Sequence, residues 1–256
     1  MGQNEGGCTV RSLLPLIALV SGCLPITIGD GNQKTETRSL SGFTAVDNRS
    51  SIPVTVTKSG GFSVTVTADQ NLLPLITTQV IGDALVIDQV HDLDTHVASE
   101  IVVTLPVITA ISSSGSGGTA VAGLTGESLP VDSTGSGAVS VDGTVGTLTI
   151  TSQGSGAVNL TGEGSDLNAT LTGSGGLEAQ NFPAGRAEIS VTGAGGAQIV
   201  VNGDATLSTT GSGSIEAALD GGMARFEVTG SGSIIWSGQT TVVSVLDTGS
   251  GSVIKQ

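Results

Sequence analysis

The sequence has no tyrosine, one tryptophan and four phenylalanines among its 256 residues. A core built mainly on rings is therefore excluded, and apolar contacts must come from aliphatic side chains. Charged residues make up 12% of the chain, about half the usual quarter. That scarcity excludes a coiled coil and, with 38% hydrophobic residues, a disordered chain. Basic residues are the scarcest: 8 Lys and Arg face 22 Asp and Glu, for a net charge of −14. Such a chain repels phosphate backbones, so no nucleic-acid partner is expected. The acids are scattered, which serves solubility; cation uptake is the sharper alternative. Two cysteines occur, Cys8 and Cys23, too few and too close to the start for a disulfide framework. No apolar residues recur at the helical period of 3.6.

Glycine is what the chain has in excess, 40 of 256 residues, more than twice the usual share of roughly 7%. The glycines do not fall every third residue, which excludes collagen. Instead, pairs of glycines flank one small residue at regular intervals. The pairs are Gly115 and Gly117, Gly135 and Gly137, Gly154 and Gly156, Gly173 and Gly175, Gly193 and Gly195, Gly211 and Gly213, Gly230 and Gly232, and Gly249 and Gly251. The residue between is Ser, except Ala194. The intervals are 20, 19, 19, 20, 18, 19 and 19 residues.

Aligning on these pairs sorts the neighbours into columns. Six residues before the first glycine stand Leu129, Leu148, Leu167, Ala187, Ala205, Ala224 and Val243. Four before it stand Val131, Ile150, Ala169, Ile189, Leu207, Phe226 and Val245. On the far side, Thr119, Val139, Val158, Leu177, Ala197, Ile215, Ile234 and Val253 form a third column, apolar but for Thr119, and Val121, Val141, Leu160, Ala179, Ile199, Ala217 and Trp236 a fourth. Between the apolar columns lie polar ones, such as Thr134, Gln153, Thr172, Thr192, Thr210, Thr229 and Thr248. Alternation with period 2 is the mark of a strand with one face inward. Each repeat thus supplies two short strands that cannot bury an apolar face alone. Stacking successive coils makes a continuous core. The expected fold is all-β, a parallel β-solenoid with coils of about 19 residues. At a spacing near 4.8 Å, eight coils make a rod roughly 35–40 Å long. The aliphatic inner columns imply a narrow core without room for rings. The glycines permit tight corners or positive φ where a Cβ would clash, and stacked serines can hydrogen-bond along the rod.

Residues 111–255 are expected to form these repeat coils, and 40–110 the opening coils of the same solenoid, with irregular connections that cap one end. Within 40–110, Lys58-Ser59-Gly60-Gly61 reads as a hairpin-like turn between the strands 52–57 and 62–67. Residues 23–39 read as a polar tether. Ahead of it, Arg11 precedes the apolar run Ser12 to Val20, a signal-peptide pattern too short to span a bilayer. The run ends in Val20-Ser21-Gly22-Cys23, which resembles a bacterial lipobox. The resemblance implies a signal peptide at 1–22, acylation of Cys23 and anchoring to a membrane by the acyl chains. No Asp follows Cys23; by analogy with Gram-negative sorting this directs the protein to the outer membrane. Met1 to Val10 carries Glu5 and no basic residue, so translation from codon 10 is a second expectation.

The entry segment Gly42-Phe43-Thr44-Ala45-Val46, then Ile52 to Val56, Ala68 to Leu73 and Gly82 to Ile87, combined with the repeats, resembles the head GIN domain family of auto-transporter adhesins. The resemblance covers about residues 40–255. It implies a single-stranded right-handed parallel β-helix on the bacterial surface, similar to pectin-lyase-like folds but without their catalytic residues. It also implies an adhesive role.

The densest polar cluster runs from His91 to His96 and holds both histidines. On a strand, Asp92, Asp94 and His96 would share a face able to bind a divalent metal; the bland reading is a solvated loop. From residue 111 on, the only bases are Arg186, Arg225 and Lys255, and the acids are spread over different columns. Glu178 and Glu216 share a column but lie two coils apart, about 10 Å. No nucleophile elbow, phosphate loop or calcium nonapeptide is present. No catalytic residue and no cofactor are therefore expected. The expected function is non-enzymatic: a lipid-anchored adhesin-like or scaffold module of the cell envelope. Its repetitive Ser/Thr-rich surface would meet cell-wall or extracellular polysaccharide or protein. A carbohydrate-binding or carbohydrate-cleaving β-helix is the alternative, and an ice-binding Thr strip the third. The open rod end near Val253 and Ile254 can also pair with a second copy, since unpaired strand edges invite association.

Overall fold

The computed structural model describes residues 26–256. The predicted leader, the Val10 start and Cys23 lie outside the described residues. From Thr119 to the C-terminus the chain winds as a solenoid of parallel coils of about 19 residues. The long strands Thr119–Ser133, Val139–Ser152, Val158–Gly173 and Gly176–Gly193 follow one another. Gly196–Val201 and Ala205–Gly211 then share one coil, followed by Ser214–Gly230, Ser233–Gly249 and Ser252–Lys255. Each coil pairs in parallel with the next.

The predicted columns are the register of this sheet. Leu129, Leu148, Leu167, Ala187, Ala205 and Ala224 stack one on another. Val131, Ile150, Ala169, Ile189, Leu207, Phe226 and Val245 do the same. Both sets are buried up to the last coil. There a bulge between Ala224 and Arg225 shifts the register, so Val242, not Val243, stands over Ala224. A bulge of one residue moves the side chains beyond it by one place.

The paired glycines are explained by close stacking. A Cβ on Gly135 or Gly154 would lie 2.0 Å from the carbonyl oxygen of the glycine one coil below. From Gly173 on, the first glycine of each pair also takes positive φ, 134° at Gly173 and 118° at Gly193. There the carbonyl of the glycine below accepts two N–H groups: Ser212 and Gly213 both donate to Gly193. Among the described residues, the hydroxyls of the serines between the glycines hydrogen-bond to one another along the rod only as Ser231 with Ser250, at 3.2 Å.

Rings do fit this core. Phe43, Phe182 and Phe226 are fully buried. Phe182 lies where Gly164, one coil below, leaves space: a Cβ there would sit 2.6 Å from its ring.

The N-terminal part is stacked out of sequence order. Ala45–Asn48 and Val54–Lys58 pair in parallel with the first repeat coil, through Ala110–Ser113 and Thr119–Ala122. Beneath them, in parallel, lie Ala84–Gln89 and Glu100–Leu105. The chain therefore builds one coil, leaves it, returns to build the coil below, then jumps over the first to continue upward. Antiparallel strands finish the end. Ile76–Ile81 pairs with Ala84–Gln89, and Ser63–Asp69 with Glu100–Leu105.

Two expectations are corrected here. Residues 52–57 and 62–67 do not form a hairpin: Glu100–Leu105 lies between them, parallel to one and antiparallel to the other. The segment read as a polar tether contains a strand, Gln33–Arg38, which pairs antiparallel with Val64–Asp69. Its charges belong to a sheet edge, where Glu36 meets Lys34 at 3.6 Å and Arg38 at 3.1 Å. Charged side chains suit an edge strand because they discourage further pairing.

Candidate binding face

The features that distinguish this rod are a hydroxyl-bearing face, its two ends and one buried carboxylate. The face is made by the strand halves that precede each glycine pair. Thr172, Thr192, Thr210, Thr229 and Thr248 stand in register on five successive coils, all exposed. The β pleat puts every second residue on this side, so Thr151, Thr170, Ser190 and Ser208 form a second column beside it. A third holds Thr149, Asn168, Glu188, Thr206 and Arg225. Thr229 and Thr248 are joined Oγ1 to Oγ1 at 3.2 Å. Glu188, Arg225 and Glu227 interrupt the face, so it is not the unbroken Thr lattice that an ice-binding strip requires.

In the strand halves that follow each glycine pair, Glu178, Gln198 and Glu216 stack in one column. The Gln198 amide reaches Glu216 at 3.5 Å, so an amide stands between the two carboxylates. Gly176, Gly196 and Ser214 leave a shallow hollow beside them.

At the C-terminal end the inner columns change character. Asp247 stands over Val228, and Lys255 over Trp236. The Lys255 ammonium lies 4.6 Å from the indole centre, a cation–π contact. Val242, Val243, Val245, Leu246 and Ile254 are exposed on this last coil. Charges at core positions of a terminal coil oppose edge-to-edge addition.

At the other end the His91–His96 cluster is built differently from the metal site its spacing suggests. Leu93–Asp94 pairs in parallel with Thr27–Ile28. His91 is engaged locally, its Nε2 3.3 Å from Thr27 Oγ1 and its Nδ1 3.1 Å from the Asp92 carbonyl. His96 is held by its backbone rather than its ring, donating its N–H to Asp69 Oδ2 at 3.0 Å. Among the described residues no three His, Cys, Asp or Glu side chains gather where they could hold a metal ion, so Asp92, Asp94 and His96 do not form one site.

Asp69 is the organising residue here, and residue spacing did not single it out. It ends the strand Ser63–Asp69 and is fully buried. Its carboxylate accepts the N–H of Gly31 at 2.7 Å as well as that of His96. Burial pushes its carboxyl up, but the bonds donated by the Gly31, His96 and Val97 backbone outweigh that and hold it below the ordinary value. A depressed carboxyl stabilises the fold above the unfolded value, about 3.9, and the contribution is lost as pH falls through the lower folded value. Amide protection at Gly31 and His96 is thus expected to persist from pH 7 to about 4 and to fall below that. Asp69→Asn should lower this protection about tenfold at pH 7 and remove its acid transition. Hydrogen exchange checks both; unchanged protection in the variant would mean that Asp69 is not the staple.

Comparison with known proteins places this geometry. The model of the family described as "Putative auto-transporter adhesin, head GIN domain" matches residues 42–218. No curated protein matches the chain. Among solved structures, one described as a "putative adhesin" from Parabacteroides merdae is 19% identical, with a TM-score of 0.75, covering 90% of this chain and 99% of its own. Another of the same description, from Parabacteroides distasonis, is 21% identical, with a TM-score of 0.75 over 91% and 100%. A third, from Bacteroides fragilis, is 24% identical, with a TM-score of 0.67 over 90% and 100%. At these identities the likeness is one of fold.

Proposed function

The chain belongs to the family described as "Putative auto-transporter adhesin, head GIN domain", and from that premise we propose a non-enzymatic adhesive or scaffold module, held on the bacterial envelope by acyl chains on Cys23. The observation that carries the adhesive part is the in-register hydroxyl face, a column of five threonines beside the column of Thr151, Thr170, Ser190 and Ser208. A flat array of hydroxyls repeating at about 4.8 Å offers donors and acceptors in a row. Its complement is a polymer with its own repeated hydroxyl or amide groups, a polysaccharide or an extended protein. The envelope address rests on the lipobox and on family membership.

The test is retention of protein-coated beads on cell-wall polymer, extracellular polysaccharide and matrix protein. Wild-type beads are expected to hold to one of these surfaces. Thr192→Lys, Thr210→Lys and Thr229→Lys together should lower retention about tenfold or more, as for central interface contacts. Circular dichroism controls for folding, since exposed strand positions tolerate lysine. Equal retention of the variant, or no retention of wild type on any surface, sinks the reading.

A further inference from the structure

The N-terminal end of the rod carries apolar side chains that its packing does not use. Ile26 is 61% exposed, Ile28 58% and Val90 62%. Ile28 belongs to the small pair of Thr27–Ile28 with Leu93–Asp94, and Ile26 directly precedes it. Val90 adjoins His91, whose ring reaches Thr27. This is not a loose strand end. Thr27 donates its N–H to Asp92 at 3.1 Å and Gly29 to Asp94 at 2.8 Å. Asn71 clamps the segment from both sides, taking the Asp30 N–H at 3.0 Å and donating to the Ile28 carbonyl at 2.8 Å. Gly31 is held by Asp69. Residues 27–31 are thus bonded to the body of the cap.

That pinning changes what an anchor at Cys23 would do. A tether of the length expected from the sequence would let the rod stand well clear of a membrane. Ile26 stands only three positions after Cys23, with Leu24 and Pro25 between them, and three residue steps span at most about 11 Å. We propose that the N-terminal cap is a membrane-docking end, in which Ile26, Ile28 and Val90 seat in the interfacial layer of a bilayer, with the C-terminal coil as the far end. The inference rests on acylation of Cys23. Aliphatic side chains beside a lipid anchor sit at the depth where such surfaces bind, about 5–10 Å into the headgroup boundary. Asp30, Asp92 and Asp94 lie beside the patch, and their charge selects a bilayer of neutral headgroups over an anionic one.

The single tryptophan makes the test direct, because Trp236 lies in the last coils of the rod. The acylated protein is purified from membranes, its N-terminus is read by mass spectrometry, and it is reconstituted in phosphatidylcholine vesicles with brominated acyl chains. Wild type is expected to keep its Trp236 emission. The variant Ile28→Trp with Trp236→Phe is expected to lose emission in brominated vesicles relative to ordinary ones. Replacing Ile26 and Val90 by Asn in that variant should restore it. If the acyl group is present on Cys23 and position 28 is not quenched, docking is overturned while the anchor stands. Quenching of Trp236 in wild type overturns the orientation. An N-terminus without acyl chains overturns the anchor and the docking with it.

Discussion

Gly195→Ala is expected to destabilise the solenoid by about 3 kcal/mol or more, at the upper end of what overpacking costs. The added Cβ would lie 2.2 Å from the carbonyl oxygen of Gly175, one coil below. The obstacle is backbone, so no rotamer change relieves it. The coils would have to part, and Gly195 itself donates across that gap to Gly173 at 3.0 Å. Gly60→Ala is the control. Nothing lies within 4 Å of a Cβ there, and its φ is not positive. The change should be neutral or stabilising by a few tenths of a kcal/mol, through the unfolded chain. Because each coil touches only its neighbours, the damage in Gly195→Ala should be local. Urea denaturation read together with hydrogen exchange checks this: protection should fall first around 173–213. A midpoint equal to wild type would mean that the glycine column reflects composition rather than stacking.

Phe182→Ala carries the second large effect, about 3–5 kcal/mol for removing a fully buried ring. The ring occupies the space over Gly164, so the two positions are one packing unit. Gly164→Ala should also destabilise, since its methyl group would meet the ring edge. In the double variant the methyl group enters space that the ring has left. Its cost should be smaller than the sum of the two by about 0.5–3 kcal/mol, the range for residues in contact. Additive costs, measured by the same denaturation, would sink this account of why a phenylalanine stands in an aliphatic core.

Much of the repeat region was legible because two independent signals agree there. The apolar residues alternate with period 2, and the glycine pairs recur every 18–20 residues. Together they set which strand face is inward and which residue lies over which. The bulge at Ala224 was not legible, since it takes one residue between columns that are apolar either way. Phe182 lies outside the aligned columns, and its place depends on Gly164 in the coil before. The hydroxyl face could be read as a column of threonines; the charges that interrupt it matter only once the columns are set side by side. Asp69 gave no signal, because the groups that hold it are backbone N–H donors of residues 31, 96 and 97.

By itself the sequence determined that this protein is a stack of coils, how long each coil is, and which side chains of the two columns before each glycine pair it buries up to the last coil. Local alternation and repeat spacing suffice for that, because each coil meets an almost identical copy of itself. Only the tertiary structure decided the N-terminal end. There 84–105 lies beneath 45–58, 100–105 separates two strands that are close in sequence, and 33–38 joins the sheet edge rather than trailing as a tether. Strands of similar alternation carry no label for their partners. Their pairing is set by long-range closure, by the buried Asp69, and by which edges remain open once the coils have stacked.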